Sequence, residues 1–351
     1  MTDNYLLALI ITFLLGLNFQ HAFQGAAIKV GLVDSPCERK NHYGQIPLSG
    51  GLAIFLTFTF AALLLNDFIN NLRPLFAGMM ILMVVGVKDD LHELKPFTRL
   101  YMQLFAAFVA CQWGDVQLID LGHLLAVDKV LELRNFSLPL TLFAIIGITN
   151  AVNLLDGVDG LAGSISLLTT SLLSLIALWS GDIDSFHILG LISVSILTFL
   201  IFNWRFYLNK KAQVFMGDAG SLMLGFIIAW FLIRLSQGNE RVLDPVTALW
   251  IFAFPVIETL TLIIRRLLKG RSPISADREH FHDLLQSYGL SQRRTVLFIV
   301  FISTAFALIG LLGKYFQIPE HIMFYGFTLL FAVYFMLVRR AWKRLVKLRQ
   351  E

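Results

Sequence analysis

The chain has 351 residues, 57% of them hydrophobic and only 15% charged, with a mean hydropathy of +0.72 and a formal net charge of +4. Soluble domains carry about 25% charged and 45–50% apolar residues, so 28 Lys and Arg with 24 Asp and Glu cannot clothe a water-soluble protein of this size. An ordinary soluble domain, a disordered chain and a disulfide scaffold are excluded. The two cysteines, Cys37 and Cys111, fall on opposite sides of a predicted span and are not expected to pair.

A helix that crosses the hydrocarbon needs about 20 mostly apolar residues. Eleven runs approach this, over 5–27, 48–65, 75–87, 100–112, 138–152, 161–179, 186–202, 221–235, 246–264, 295–312 and 322–338. The third and fourth are short, and read either as spans lengthened by their flanks or as partly re-entrant segments. The first run starts from MTDNY, without a basic segment, so it reads as a retained span and not as a cleaved signal. The expected fold is all-α: a polytopic integral membrane protein of about eleven transmembrane helices. No repeat, low-complexity tract or linker divides it, so residues 1–351 read as a single membrane-embedded domain with enlarged loops on one side.

Orientation follows from Lys and Arg in the loops. With the N-terminus outside (periplasmic) and the C-terminus cytoplasmic, twenty-two basic residues fall inside and five outside, the five being Arg73, Lys129, Arg134, Arg241 and Lys314. Arg234 sits near a span end. The basic tail RRAWKRLVKLRQE suits anionic inner-leaflet lipid. The longest outside loop, 113–136, alternates apolar and polar residues like a small hairpin or an interfacial helix.

Ionisable groups at a membrane edge are expensive and usually functional. Four inside segments carry them. In GVKDDLHELKP, Asp89 and Asp90 are adjacent and repel unless a cation offsets them. Hard oxygen ligands of this kind suit Mg²⁺ or Mn²⁺, although a solvated acidic pair would look the same. In NAVNLLDGVDGLAGS, Asn150, Asn153, Asp156 and Asp159 recur every three residues, which places them near one face of a helix. In VFMGDAGSLMLGF, Asp218 lies in a small-residue turn that opens the eighth span, a natural phosphate cradle, or else a plain helix cap. Phe215, just before it, is a candidate to stack on a planar ring.

The fourth segment, 265–294, is the longest inside loop and carries seven basic residues with His280 and His282. Arg278 there, and Lys95 after the first acidic pair, suit a phosphate or pyrophosphate. Two residues apart, the histidines diverge on a helix and share a face only if extended. His280 and Asp283 are spaced to meet on a helix. Glu258, His21, Gln20 and Gln24 lie inside spans without an assigned partner. Glu258 is the costliest of these and reads as structural or gating.

All four segments fall on one face under a topology set by positive charge alone. An acidic, metal-competent centre ringed by basic residues there suits two phosphorylated substrates, one soluble and one lipid-anchored. A secondary transporter, the alternative class, would put its charged sites near the midplane and show two similar halves; neither is evident.

At these residues the chain resembles the polyprenyl-phosphate N-acetylhexosamine-1-phosphate transferases. The resemblance runs through KVGLVDSPCERKNHYGQIPLSGG, GVKDDLHEL, NAVNLLDGVDGLAGS, QVFMGDAGS, PVTALWIFAFP, SPISADREHFHDLL and the RRAWK tail. PVTALW and the tail favour the N-acetylglucosamine branch over the branch that transfers a muramyl-pentapeptide.

The resemblance implies transfer of N-acetylglucosamine 1-phosphate from UDP-GlcNAc to undecaprenyl phosphate with Mg²⁺, or Mn²⁺, releasing UMP. This is the first step of lipid-linked glycan synthesis, such as O-antigen or enterobacterial common antigen, at the bacterial inner membrane. It implies catalytic roles for Asp89, Asp90, Asp156, Asp159 and His280. Substrate binding would fall to Asn150, Asn153, Phe215, His282, Arg278 and Lys95, and the metal to Asp90 and Asp218. The partners implied are the two substrates and inner-membrane lipid, with no nucleic acid; a homodimer stays open, as does another UDP-N-acetylhexosamine donor. One departure stands out: the family usually carries a further histidine where this chain has Asp283.

Overall fold

The computed structural model describes residues 2–35, 44–64, 69–125, 129–204, 211–238, 241–272 and 279–348. Cys37 and Arg278 lie outside them; Cys111 is a buried free thiol. All eleven apolar runs are helical. They form α1 (Thr2–Val30), α2 (Gly50–Leu64), α3 (Ile69–His92), α4 (Pro96–Trp113), α5 (Ser137–Leu155), α6 (Leu161–Ser180), α7 (Ile183–Asn203), α8 (Gly217–Arg234), the pair α9 (Pro245–Ile251) and α10 (Ala253–Leu268), α12 (Gln292–Tyr315) and α13 (Glu320–Leu348). A short α11 (Phe281–Ser287) lies between α10 and α12. Helices dominate because lipid offers no partner for backbone N–H and C=O groups. Among the described residues the all-α expectation holds apart from a two-residue antiparallel pair, β1 (Val33–Asp34) with β2 (Ile46–Pro47), and an isolated bridge between Asp120 and Glu132.

Among the described residues, seven helices are long and apolar enough to cross a membrane, or eight if the bent α9–α10 pair counts as one span. The protein is therefore a polytopic helical membrane protein. The two short runs are continuous helices: α3 has 24 residues and α4 has 18, because each extends past its apolar stretch into charged flanks.

The ninth run departs from expectation. Residues 246–264 are not one straight span, since α9 and α10 meet at 80°. Pro255 explains the break: it has no N–H to donate, and its ring crowds the carbonyl four residues back, that of Ile251, where α9 stops.

The chain divides into two compact units. The first comprises residues 1–117 and 138–235, and α8 is its central helix, buried from Ala219 to Ile233. The second comprises residues 118–137 and 236–351. There Trp250 packs edge-on against Phe306 and Phe327 and donates its indole N–H to the Met323 carbonyl at 3.1 Å. Of the two forms expected for loop 113–136, the described residues show antiparallel, hairpin-like pairing, with Asp120 bridged to Glu132 and Leu121 N–H donating to the Leu131 carbonyl at 3.0 Å.

Candidate active site

The first unit brings α2, α3 and α8 into backbone contact. A Cβ on Gly86 would lie 2.2 Å from the Cα of Ala219, and one on Gly51 would lie 2.3 Å from the Cα of Gly220. Small residues allow this approach where lipid supplies no hydrophobic drive between helices. Asp89 and Asp90, about one turn beyond Gly86, are thereby delivered to the start of α8. That start is also fixed from the other side: Phe215 N–H donates to the Pro47 carbonyl at 2.9 Å, and Gly50 N–H to the Phe215 carbonyl at 3.0 Å.

The Asp90 carboxylate accepts the N–H of Asp218 at 2.9 Å and of Ala219 at 3.3 Å. The phosphate-cradle expectation for this turn is thus modified, because two of the first N–H groups of α8 already hold Asp90. A carboxylate is favoured at that end by the helix dipole. Gly217 is required there: its φ is +73°, and a Cβ would sit 2.5 Å from Asp90 Oδ2.

Asp89 is directed differently. Its Oδ1 accepts Leu94 N–H at 2.6 Å, and its Oδ2 faces Arg99 Nη1 at 3.1 Å. The same Nη1 lies 3.4 Å from Asp218 Oδ2, while Nη2 donates to Asn153 Oδ1. Asn153 Nδ2 in turn donates to Asp218 Oδ1 at 2.5 Å and to Ser221 Oγ at 2.8 Å. Asp89, Arg99, Asn153 and Asp218, from four separate stretches of sequence, form one network.

One helical turn further along α4, Gln103 and Asn150 pair through their amides, with Asn150 Nδ2 2.6 Å from Gln103 Oε1. Asn150 also donates to the Ile146 carbonyl at 2.8 Å. The structure therefore places Asn150 in a cross-helix pair, one rung away from the acidic network.

The three-residue spacing does not run along one helix. Helix α5 ends at Leu155, and Asp156 and Asp159 occupy the following turn. That turn is held by Asn203, which accepts Gly160 N–H at 2.7 Å and donates to the Val214 carbonyl at 2.9 Å. It keeps Asp156 within range of the charges of Asp218, Asp90 and Asp159. Phe215 is half-buried beside the α8 start, and Lys95 is exposed at the N-cap of α4.

These acids sit beyond the apolar part of their helices, and burial shapes their titration. Burial raises Asp89, even though Leu94 N–H and Arg99 oppose it. Asp90 is pushed up to about 7, first by burial and then by the charge of Asp218. Asp156 is raised well above the usual carboxylate range by burial, then by Asp218, Asp90 and Asp159. The cluster is short of positive charge. Asp89 and Asp218, with the Asn153 amide oxygen, are hard oxygen donors gathered about one guanidinium, and such a set fits Mg²⁺ or Mn²⁺. Among the described residues no group of three or more His, Cys, Asp or Glu forms a ready-made metal cage.

Arg99 is the residue that the sequence reading passed over as a site residue. Its signal was readable. Pro96 starts α4, so Arg99 lies in the first turn, where the helix dipole disfavours a cation by about 0.3–1 kcal/mol. A basic residue there points to a nearby acid.

In the second unit, His280 is the N-cap of α11 with extended backbone, and His282 lies in its first turn. Of the two alternatives, the extended one is met: the rings share a face and stack, with centroids 5.1 Å apart and planes within 8°. Burial lowers the His282 pKa to about 4, so it is neutral at pH 7. Asp283 accepts the His280 backbone N–H at 3.2 Å. At position 283, where the resemblance implies a further histidine, this chain has a helix-capping acid.

A sequence model described as glycosyl transferase family 4 matches residues 72–236. The undecaprenyl-phosphate alpha-N-acetylglucosaminyl 1-phosphate transferase of Yersinia pestis is 35% identical over 336 residues, 95% of this chain and 92% of that protein. The Haemophilus influenzae protein of the same name is 36% identical over 338 residues, 96% of this chain and 95% of its own. The one from Escherichia coli is 34% identical over 336 residues, 95% and 91% of the two chains. Identity at this level, sustained from end to end of both partners and spanning the segment that builds the acidic network, makes this protein a member of glycosyl transferase family 4.

Proposed function

We propose that this protein transfers N-acetylglucosamine 1-phosphate from UDP-GlcNAc to undecaprenyl phosphate, giving GlcNAc-pyrophosphoryl-undecaprenol and UMP. The observation that carries the proposal is the convergence of Asp89, Asn153 and Asp218 about Arg99, with Asp90 on the first N–H groups of α8 and Asp156 within range of the charges of Asp218 and Asp90. The names of the full-length relatives supply the substrates. The whole chain acts as one catalytic domain of about eleven spans in the bacterial inner membrane. Its N-terminus is periplasmic and its C-terminus cytoplasmic, and the acidic network lies on the cytoplasmic face. The charge asymmetry of the loops supports this orientation.

An oxygen of the lipid phosphate attacks the β-phosphorus of UDP-GlcNAc, the one that bears the sugar. The bond from that phosphorus to the bridging oxygen breaks, and UMP leaves. A phosphate monoester has its second pKa near 6 and is largely dianionic at neutral pH, so direct attack does not demand a strong base. Asp89 orients the acceptor, or takes the proton of its monoanionic fraction. Arg99 keeps Asp89, Asn153 and Asp218 in register. Asp90 fixes the start of α8, which sets where Asp218 points.

Asp218 and Asp89, with Asp90 close behind, would hold a divalent cation, which would supply neutralisation of phosphate charge. The metal assignment therefore moves partly from Asp90 to Asp89, because Asp90 is turned into the helix terminus. Asp156, Asp159 and Asn153 serve the nucleotide end, with Phe215 against the uracil. His280, His282, Arg278 and Lys95 serve the sugar-diphosphate, by family resemblance.

Isotope exchange tests the proposal. Purified protein in detergent is given labelled UMP and UDP-GlcNAc, with and without Mg²⁺ and undecaprenyl phosphate. Metal-dependent label entry into UDP-GlcNAc that also needs the lipid is the expected result. Exchange without lipid would replace direct attack by an aspartyl-phosphate intermediate, and no exchange in any condition would sink the transferase reading. Competition by UDP-GalNAc and other UDP-N-acetylhexosamines identifies the donor.

A further inference from the structure

Glu258, the most costly acid inside the predicted spans, is firmly anchored in the second unit. It is 3% exposed. Its Oε1 accepts the N–H of Phe281 at 2.7 Å, and its Oε2 accepts the Tyr334 hydroxyl at 2.6 Å. Phe281 is the residue after His280 and opens α11.

Arg265 lies seven residues on from Glu258, and Lys269, the C-cap of α10, a further four, spacings that keep all three on one side of the helix. Arg265 donates to the Glu279 carbonyl at 3.0 Å and to its carboxylate at 2.6 Å, and Lys269 reaches the same carboxylate at 2.6 Å. Arg265 is itself backed by the Trp342 ring, 5.4 Å from its guanidinium carbon. The residues on either side of His280 are thus each tied to α10, Phe281 through Glu258 and Glu279 by charge-assisted bonds, which are about twice as strong as neutral ones. The rings of Phe254, Phe281 and Tyr334 close around the Glu258 contact at centroid distances of 5.4 to 6.4 Å.

We propose that Glu258 is a positioning residue: by holding the Phe281 N–H and the Tyr334 hydroxyl at once, it sets the place of the stacked His280–His282 pair. The inference deepens the proposed function and rests on the assignment of that pair to the sugar-diphosphate. Removing the carboxylate leaves two donors without their acceptor, a penalty that falls at the peptide bond next to His280. The amide of a glutamine keeps one oxygen acceptor for Phe281.

The test uses the full-length protein in detergent, with Glu258→Leu, Glu258→Gln and Tyr334→Phe. Two readouts are combined: diethyl pyrocarbonate modification of His280 and His282, followed by peptide mass spectrometry, and steady-state kinetics with both substrates. In Glu258→Leu, His282 modification is expected to speed up about tenfold or more, with kcat down by a similar factor and KM for the lipid unchanged, as loss of a buried charged acceptor predicts. Glu258→Gln should return both towards the parent, a rescue that generic loss of packing would not show. Tyr334→Phe, which removes one of the two anchors, gives the same readout should the leucine variant fail to fold. His282 as well protected in these variants as in the parent overturns the proposal. His282 exposed with kcat unchanged upholds the positioning role and instead removes the histidine pair from the chemistry.

Discussion

Arg99→Met is the most informative single change. Two unit charges about 4 Å apart at an effective dielectric of about 20 attract by about 4 kcal/mol. The Arg99 side chain is 23% exposed, Asp89 8% and Asp218 30%, so solvent screens part of this, and we expect a net loss of about 2 kcal/mol in the metal-free protein. The same free energy should reappear in cation binding. Without its guanidinium the acidic network is more negative, and Mg²⁺ should bind about 30-fold more tightly. Turnover should nonetheless fall by about 100-fold or more, because oriented positive charge is lost from the phosphate site. Arg99→Lys should recover part of the charge effect but not the fork that reaches Asn153. Thermal unfolding in detergent with EDTA, repeated over a Mg²⁺ titration, reads the first two quantities, and the transferase assay reads the third. A variant that matches the parent in both EDTA midpoint and Mg²⁺ affinity would refute the idea that Arg99 and the cation offset the same carboxylates.

Asp89→Asn should abolish turnover in the exchange assay, and parent-like turnover would remove Asp89 from the mechanism. Gly217→Ala should destabilise the protein by about 1–3 kcal/mol, since it forces a side chain onto a φ of +73° and against Asp90; a parent-like unfolding midpoint would count against that geometry. The pH dependence follows from Asp90, whose folded pKa of about 7 lies above the unfolded value of about 3.9. A raised carboxylate contributes stability that is fully present below the unfolded pKa and is lost as pH rises through the folded one. Metal-free protein should therefore lose stability between about pH 4 and 7, and the stabilisation given by Mg²⁺ should grow over the same window as bound protons are released. Unfolding midpoints that stay flat across it would contradict the assignment.

By itself the sequence determined the membrane character, the helical class and the positions of the apolar runs. These depend on local composition and on the rule that a backbone in lipid must satisfy itself. The motifs also marked the acids that the fold gathers, because carboxylates at a membrane edge are costly and draw attention. Tertiary structure alone decided how those acids divide their work. Asp89 and Asp90 are neighbours in sequence, yet one turns to Arg99 and the other to the first N–H groups of α8. That choice depends on Gly86 meeting Ala219 backbone to backbone, a contact between residues 133 apart in the chain. The same holds for Asn150 and Asn153, which share a helix face but meet Gln103 and Asp218 respectively. The stacking of His280 on His282 likewise depends on the fold around them, whereas the break at Pro255 is a local signal that the reading of apolar runs passed over. A hydrogen-bond partner across the fold leaves no periodic trace in a sequence: the first-turn position of Arg99 and the cost of Glu258 inside a span signal that each needs a partner, but packing decided which partner each one meets.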